Sequence, residues 1–468
     1  MNLDTQEESK WLVVLPEGGL SWHLWCIDFI KNSSNNRRII ILDLRNFSLR
    51  RHHSRLKKFL KKLYQVNTVD RLLQRSTTLA SVQYFKPKYA TSNNLVTEKF
   101  HLTNSISFKN GLDSEYFEEV GERVVNESQL SSETLELAKK VYDEVSAATH
   151  HLLKSDEITR LIVPGGRTLI PAACIAVANN LGVESTILES NGMGSFGYCE
   201  NPTNYRSNTD FLKSEMDSQW SNGDATKYST ARKYLEDKLT RVNTDSSNYS
   251  HSFDVIYDIQ SDDGEKSAVI FVTSAYEFEL FADSYTPGDL GRDHQIKMVQ
   301  LFCKVAKEKG YRLILRGHPP IVGRESLFAM EDRQWADFCI KNEITYLDSN
   351  SRVDSQRLMM QSSLNVVYVS SAAIESILLG SQTMILGNAE YAHLVPELCA
   401  FDESGIRSRL SNLKIDTKVD RLLPYAYFMA GHGTEISEVT IANRNSILYE
   451  GEQVDAPKFQ IFRKFLKK

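Results

Sequence analysis

Two short stretches carry residue types that could hold a phosphate. The first, Leu313-Ile314-Leu315-Arg316-Gly317-His318-Pro319-Pro320, is an apolar run that stops at Gly and Pro with a guanidinium and an imidazole at its mouth. The second, Val366-Val367-Tyr368-Val369-Ser370-Ser371-Ala372-Ala373-Ile374-Glu375, ends in two hydroxyls and passes into helix-forming sequence. Unsatisfied backbone N–H groups at a helix start, two serine hydroxyls, and an Arg and a His from a neighbouring strand would together make an anion site. Each residue has an ordinary alternative: Arg316 as a surface ion pair, His318 as a loop residue, Ser370-Ser371 as a helix cap. It is their joint placement at the ends of parallel strands that points to a site.

Two carboxylates are candidates for proton or nucleophile chemistry. Glu189 closes the run Glu184-Ser185-Thr186-Ile187-Leu188 and precedes the glycine-rich Asn191-Gly192-Met193-Gly194-Ser195-Phe196-Gly197; Glu277 follows Thr273-Ser274-Ala275-Tyr276. Arg167, after Pro164-Gly165-Gly166, and Asn191 are candidate substrate contacts. The glycines do not follow a first strand in the GxGxxG pattern, which argues against a dinucleotide fold. Asp262-Asp263-Gly264 invites a metal reading, but adjacent acids before a strand read better as a solvated turn, and no metal or cofactor is expected.

The elements that must position these residues follow from hydrophobic periodicity. Trp11–Leu15 and Arg38–Asp43 read as buried strands around a glycine turn and a helix near Trp22 to Lys31; Ser132 to Leu153 reads as a long helix. The strand Thr159 to Val163, the small-residue helix Thr168 to Leu181 ending at Gly182, and the strand Glu184 to Glu189 form a strand-helix-strand unit that brings Arg167 and Glu189 to one sheet edge. Polar sequence from Asp210 to His251, with a helical piece at Tyr228 to Leu239, suggests the domain boundary. A second alternation begins at Ala268–Ser274 and runs through a helix near His294 to Lys309, strands at Leu313, Ile344 and Val366, helices at Ser355 to Gln361 and from Ser371 to Gly380, and a strand at Thr383. Such alternation predicts parallel, Rossmann-like α/β sheets.

Composition narrows the class. The 468 residues allow two or three domains, and 41% hydrophobic content supplies ordinary cores. A net charge of −5 argues against wholesale nucleic-acid binding. Six scattered cysteines without a CxxC pair are those expected of a reducing cytoplasm without structural zinc. No secretory signal or spanning apolar run is read, so a cytoplasmic protein is expected. Residues 50–63 carry seven Lys or Arg with Leu56, Phe59, Leu60 and Leu63 at helical spacing, and 458–468 interleave Phe and Leu with Lys and Arg. Both are amphipathic basic segments: solvated helix faces, or contacts with an anionic membrane surface.

Arg316-Gly317-His318-Pro319, with Ser370-Ser371 and Glu375, resembles the His-Pro and Ser-Ser motifs of bacterial capsule and surface-polysaccharide glycosyltransferases of the GT-B fold, the group that includes Kdo transferases. The order of features matches over roughly Leu161 to Tyr391. The resemblance implies two Rossmann-like domains with parallel sheets facing an interdomain cleft: an acceptor-side domain over 1–255, a nucleotide-sugar domain over 265–440 and a helical tail over 441–468. It implies that Arg316, His318, Pro319, Ser274, Ser370 and Ser371 hold the donor phosphate, with Glu375 at a ribose hydroxyl or capping with Ser371. Glu189 would be the base for an acceptor hydroxyl, and Glu277 a nucleophile or second acid/base. The expected partners are a nucleotide sugar, CMP-linked with UDP and GDP open, and a glycan or glycolipid acceptor. Tyr276 stands where the Kdo-transferring members carry Asp. A CDP-glycerol or CDP-ribitol phosphate transferase and a non-catalytic glycan-binding module are the alternatives.

Overall fold

The computed structural model describes residues 10–15, 26, 38–44, 82–85, 132–165, 168–190, 196–199, 209–240, 255, 257, 259, 266–274, 292–319, 325–413, 419–431, 439–443, 446–449 and 452–453. The chain divides into two compact units, the first comprising Met1–Glu119, Arg123–Pro202 and Gly433–Lys468, the second Val120–Glu122 and Thr203–His432. Each is built on its own α/β sheet, as the alternation predicts.

The first unit contains β1 (Lys10–Leu15), β2 (Arg38–Asp43), β3 (Val82–Phe85), α1 (Ser132–Ser155), β4 (Arg160–Pro164), α2 (Leu169–Leu181), β5 (Glu184–Ser190) and β6 (Phe196–Cys199). Its sheet runs β3-β2-β1-β4-β5-β6, parallel except for β6. The β1 and β2 side chains are buried as continuous apolar runs, because a parallel sheet is covered on both faces. Small residues Ala173, Cys174 and Ala178 let α2 sit within the core that α1 closes, and the Thr149 hydroxyl meets Cys174 Sγ at 3.3 Å. Gly182, at φ 68°, ends α2 in the left-handed conformation that glycine adopts without a Cβ clash.

The second unit contains α3 (Thr209–Asn222), α4 (Lys227–Thr240), β7 (Lys266–Phe271), α5 (Arg292–Glu308), β8 (Tyr311–Arg316), α6 (Glu325–Lys341), β9 (Thr345–Leu347), α7 (Ser355–Gln361), β10 (Leu364–Val367), α8 (Ala372–Leu378), β11 (Thr383–Ile385), α9 (Glu403–Ser411) and α10 (Leu423–Gly431). Its sheet is wholly parallel in the order β11-β10-β7-β8-β9. Asn365, fully buried in β10, is satisfied on every side: Nδ2 donates to Met359 O (3.1 Å) and Ser376 Oγ (3.0 Å), and Oδ1 accepts from Ser362 Oγ (2.7 Å). Such a closed polar network fixes α7, β10 and α8 in one register.

Two segments differ from the sequence reading. The polar stretch read as a boundary contains α3 and α4, which pack with α10 in the second unit through Trp220 against Tyr427 and Tyr234 against Tyr425. Their few apolar residues gain a partner that lies some 190 residues further along the chain. Of the tail expected to be helical, residues 441–443, 446–449 and 452–453 instead lie in a three-stranded antiparallel sheet of β12 (Val439–Asn443), β13 (Ser446–Tyr449) and β14 (Glu452–Gln453). Val439-Thr440-Ile441 and Ile447-Leu448-Tyr449 are β-branched or aromatic pieces that suit strands.

Candidate functional site

β7 lies between β8 and β10, so the C-terminal ends of the three strands open side by side. The two motifs were expected on neighbouring strands, but the end of β7, with Val272-Thr273-Ser274, is interposed. After β9 the chain returns to the far side of β7 to form β10. This reversal of strand order is a topological switch point, where open α/β sheets place ligands.

Thr273 is held rigidly: Gln295, in the first turn of α5, accepts from its N–H at 2.9 Å and donates to its carbonyl at 3.0 Å. Val369 N donates to Thr273 Oγ1 at 3.4 Å, which ties β10 to β7 beyond the last ladder pair. Ser274, only 1% exposed, donates its hydroxyl to Glu331 Oε1 of α6 at 3.1 Å. It points into the protein rather than toward a ligand.

Arg316 is likewise not a phosphate arm. Its side chain is 1% exposed, and the guanidinium donates through Nη2 to Ser351 O at 2.9 Å and through Nη1 to the carbonyls of Asp348 and Leu347. Nε has no partner. Burial lowers the pKa to about 10, with Asp348, Tyr346 and Asp332 opposing, so the group stays charged at neutral pH. The loop after β9 turns the carbonyls of Asp348 and Ser351 toward the guanidinium, which satisfies them; Leu347 O, at the end of β9, also accepts from Gly317 N at 2.8 Å.

Asp332 of α6 holds the same loop from the other side, accepting from Ser349 N at 2.9 Å and from the hydroxyls of Ser349 and Tyr346. Burial and the Asp332 bond push the Tyr346 phenol well above its ordinary pKa. Between the two clamps Gly317 has no room for a side chain: a Cβ there would come within 2.9 Å of Tyr346 Oη and 3.0 Å of Ser349 N. The half-buried His318 follows at once, its Nδ1 donating to Pro319 O at 2.9 Å. Arg316 and Asp332 therefore fix the 346–351 segment against Gly317, the residue before His318.

On the far side of β7, the donors at the start of α8 are already used. Ala372 N donates to Ser370 Oγ (3.2 Å), Ala373 N to Ser370 O (3.2 Å), and Ile374 N and Glu375 N to Ser371 O (3.0 and 3.4 Å). The expected set of unsatisfied N–H groups is therefore not there; a tight turn into a seven-residue helix consumes them. Ser371 makes no side-chain cap bond, and Ser370 O also accepts from the Tyr391 hydroxyl. Glu375 accepts from Gln356 Nε2 at 3.3 Å, and the same nitrogen donates to Leu239 O at 2.9 Å. It belongs to the junction of α4, α7 and α8, neither capping with Ser371 nor standing open to a ribose.

Arg167, Asn191, Tyr276, Glu277, the Asp262-Asp263 pair and the basic segments 50–63 and 458–468 lie outside the described residues. Glu189 is described in its backbone alone. It is the penultimate residue of β5, which ends at Ser190, and pairs with Gly197 of the antiparallel β6, so the end of the glycine-rich stretch is a strand. Gln295, Glu331 and Asp332 were missed from sequence because polar residues on helices carry no local sign of which distant backbone they will meet. Among the described residues no three His, Cys, Asp or Glu side chains gather to hold a metal ion.

No protein-family model and no curated protein sequence matches the chain. Among solved structures, similarity is found to the KpsC β-Kdo 2,4 transferase of Thermosulfurimonas dismutans, at 14% identity over 57% of this chain and 79% of that one, with a TM-score of 0.40. The KpsC β-Kdo 2,7 transferase of the same organism matches at 15% identity over 69% and 90%, TM-score 0.32. A glycosyltransferase from Rickettsia africae matches at 8% identity over 98% and 99%, TM-score 0.30. None of these likenesses assigns an activity to the chain.

Proposed function

We propose that the chain is a GT-B glycosyltransferase whose second unit takes the phosphate of a nucleotide-linked donor at the mouth of β7. The observation that supports the reading is the strand order: His318 follows β8 and the Ser370-Ser371 turn follows β10, the two neighbours of β7 beside a topological switch point. Breaking a sugar–phosphate bond requires fixed donors for the charge that develops on the leaving phosphate. His318 and the Ser371 hydroxyl are the groups assigned that task, with Arg316 and Asp332 as the clamps that position His318. Because Nδ1 of His318 donates to Pro319 O, its Nε2 can donate to an anionic oxygen only when the ring is protonated. Phosphate binding and ring protonation thus favour each other.

In this reading the donor is a CMP-linked acidic sugar and the acceptor a glycan or glycolipid. Glu189 serves as base and Glu277 as nucleophile or second acid/base, two carboxylates that would support a retaining double displacement. No helix of the described residues is long and apolar enough to cross a membrane. Attachment to an anionic surface through 50–63 and 458–468 is part of the same proposal. The test is calorimetric titration with CMP, CDP, UDP and GDP, repeated on His318→Ala. Selective CMP binding that weakens at least about tenfold in the variant, roughly 1.4 kcal/mol, supports the reading. Preference for CDP would move it to a polyol-phosphate transferase, and absence of all nucleotide binding would overturn it in favour of a non-catalytic module.

A further inference from the structure

The tip of β7 stands between the two motif strands, and its ladder to β10 stops short of the motifs. The last ladder pair is Val367 with Phe271; two residues later both backbone groups of Thr273 are committed to Gln295, a side chain of α5 that is 1% exposed. Thr273 therefore meets the chain after β10 with its side chain. Its hydroxyl, on a residue 3% exposed, accepts from Val369 N. On the other flank Val272 N donates to Arg316 O at 3.3 Å, which joins the same tip to the end of β8. Val369 is also pressed from the β11 side, where a Cβ on Gly387 would come within 2.7 Å of its Cγ1. Ser370-Ser371 follows Val369 directly.

We propose that Thr273, anchored by Gln295, is a positioning residue of the donor site: its hydroxyl sets where Val369 stands and hence where Ser371 is presented to the phosphate. The inference rests on the reading of this edge as a nucleotide site. Donors to a leaving phosphate work by being held in place before the charge develops, and small displacements of such groups are costly. Ser371 makes no cap bond of its own, so its place is set by the backbone that carries it. Two hydroxyls from outside β10 hold that backbone, Thr273 at Val369 N and Tyr391 at Ser370 O. Of the two, Thr273 belongs to the strand that also leads, through Val272 and Arg316, toward His318. Gln295 supplies the rigidity, since its amide fixes the Thr273 backbone at both ends of one residue.

A double-mutant cycle, read by calorimetric titration with whichever nucleotide the wild type binds, tests this. Thr273→Val is close in shape and removes the hydroxyl; Thr273→Ser keeps it. Thr273→Val is made both in the wild type and in Ser371→Ala. Loss of the acceptor for Val369 N lowers the melting temperature whatever the role of Thr273, so the coupling between the two positions decides. The expected result is that Thr273→Val weakens nucleotide binding about three- to tenfold, the worth of one neutral hydrogen bond. Thr273→Ser should stay within about twofold of the wild type, and Thr273→Val should have no further effect in Ser371→Ala, where the group it positions is gone. An equal loss in both backgrounds, or none in either, would overturn the inference and leave the proposed function standing. Unaltered binding in Ser371→Ala would overturn it together with the assignment of Ser371, and failure of the wild type to bind any nucleotide would overturn the proposed function as well.

Discussion

Replacing Arg316 by Lys keeps the charge and removes the fork. The guanidinium spans the carbonyls of Asp348 and Ser351, with a weaker third contact to Leu347 O at 3.5 Å. A single ammonium on a shorter stem can reach one of them. A bond from a charged donor contributes about 1.5–3 kcal/mol, and a buried carbonyl left without a donor costs about 1–3 kcal/mol. Part of this is offset because Nε lacks a partner among the described residues and because the desolvated cation is costly to bury. The expected net loss is about 2–3 kcal/mol, and for a unit of this size it should lower the melting temperature by about 5–10 °C. Differential scanning calorimetry on the ligand-free protein measures it, with nucleotide titration alongside. Because the clamp sits beneath His318, affinity should fall only modestly. An unchanged melting temperature together with loss of nucleotide binding would refute the reasoning, since the guanidinium would then be meeting the ligand rather than the loop.

Three further outcomes follow from neighbouring contacts. Gly317→Ala forces a Cβ against Tyr346 Oη and Ser349 N and should cost about 1–3 kcal/mol by overpacking, read as a lower urea midpoint with unchanged slope. Tyr391→Phe removes the hydroxyl that donates to Ser370 O, which keeps Ala373 N, so the loss should be about 0.5–1 kcal/mol and visible as faster amide exchange at the start of α8. His393 has its pKa lowered mainly by burial, against Asp217 and its bond to Glu390 O, with Lys213 adding to the lowering. The unfolded chain therefore binds the proton more readily: the stability contribution is full above the ordinary imidazole range and is lost as pH falls through it toward the lowered folded pKa. His393→Gln should flatten that part of the stability–pH profile, and an unaltered slope would contradict it.

The sheets were legible because buried parallel strands are written as continuous apolar runs. Trp11–Leu15, Arg38–Asp43 and the run ending at Arg316 stand within a residue or two of their observed bounds. The helix Ser355–Gln361, capped by Asp354, was read at its observed limits for the same kind of local reason. What failed was long-range. Nothing near Arg316 announces that the loop after β9 will present carbonyls to it, and nothing near Ser370 says that its turn will consume the helix-start donors. The strand order that inserts β7 between the two motifs is likewise a property of the return from β9, not of either motif. α3 and α4 looked like linker because their apolar partner, α10, lies far along the chain.

A crystal structure of the complex with the tightest-binding nucleotide shows whether the mouth of β7 holds the donor's phosphate. Phosphate oxygens are expected within about 3 Å of the His318 ring and of the Ser371 hydroxyl, with the Arg316 guanidinium still turned onto the Asp348 and Ser351 carbonyls. A nucleotide bound away from the ends of β7, β8 and β10, or one whose phosphate meets Arg316 while His318 makes no contact, would contradict it.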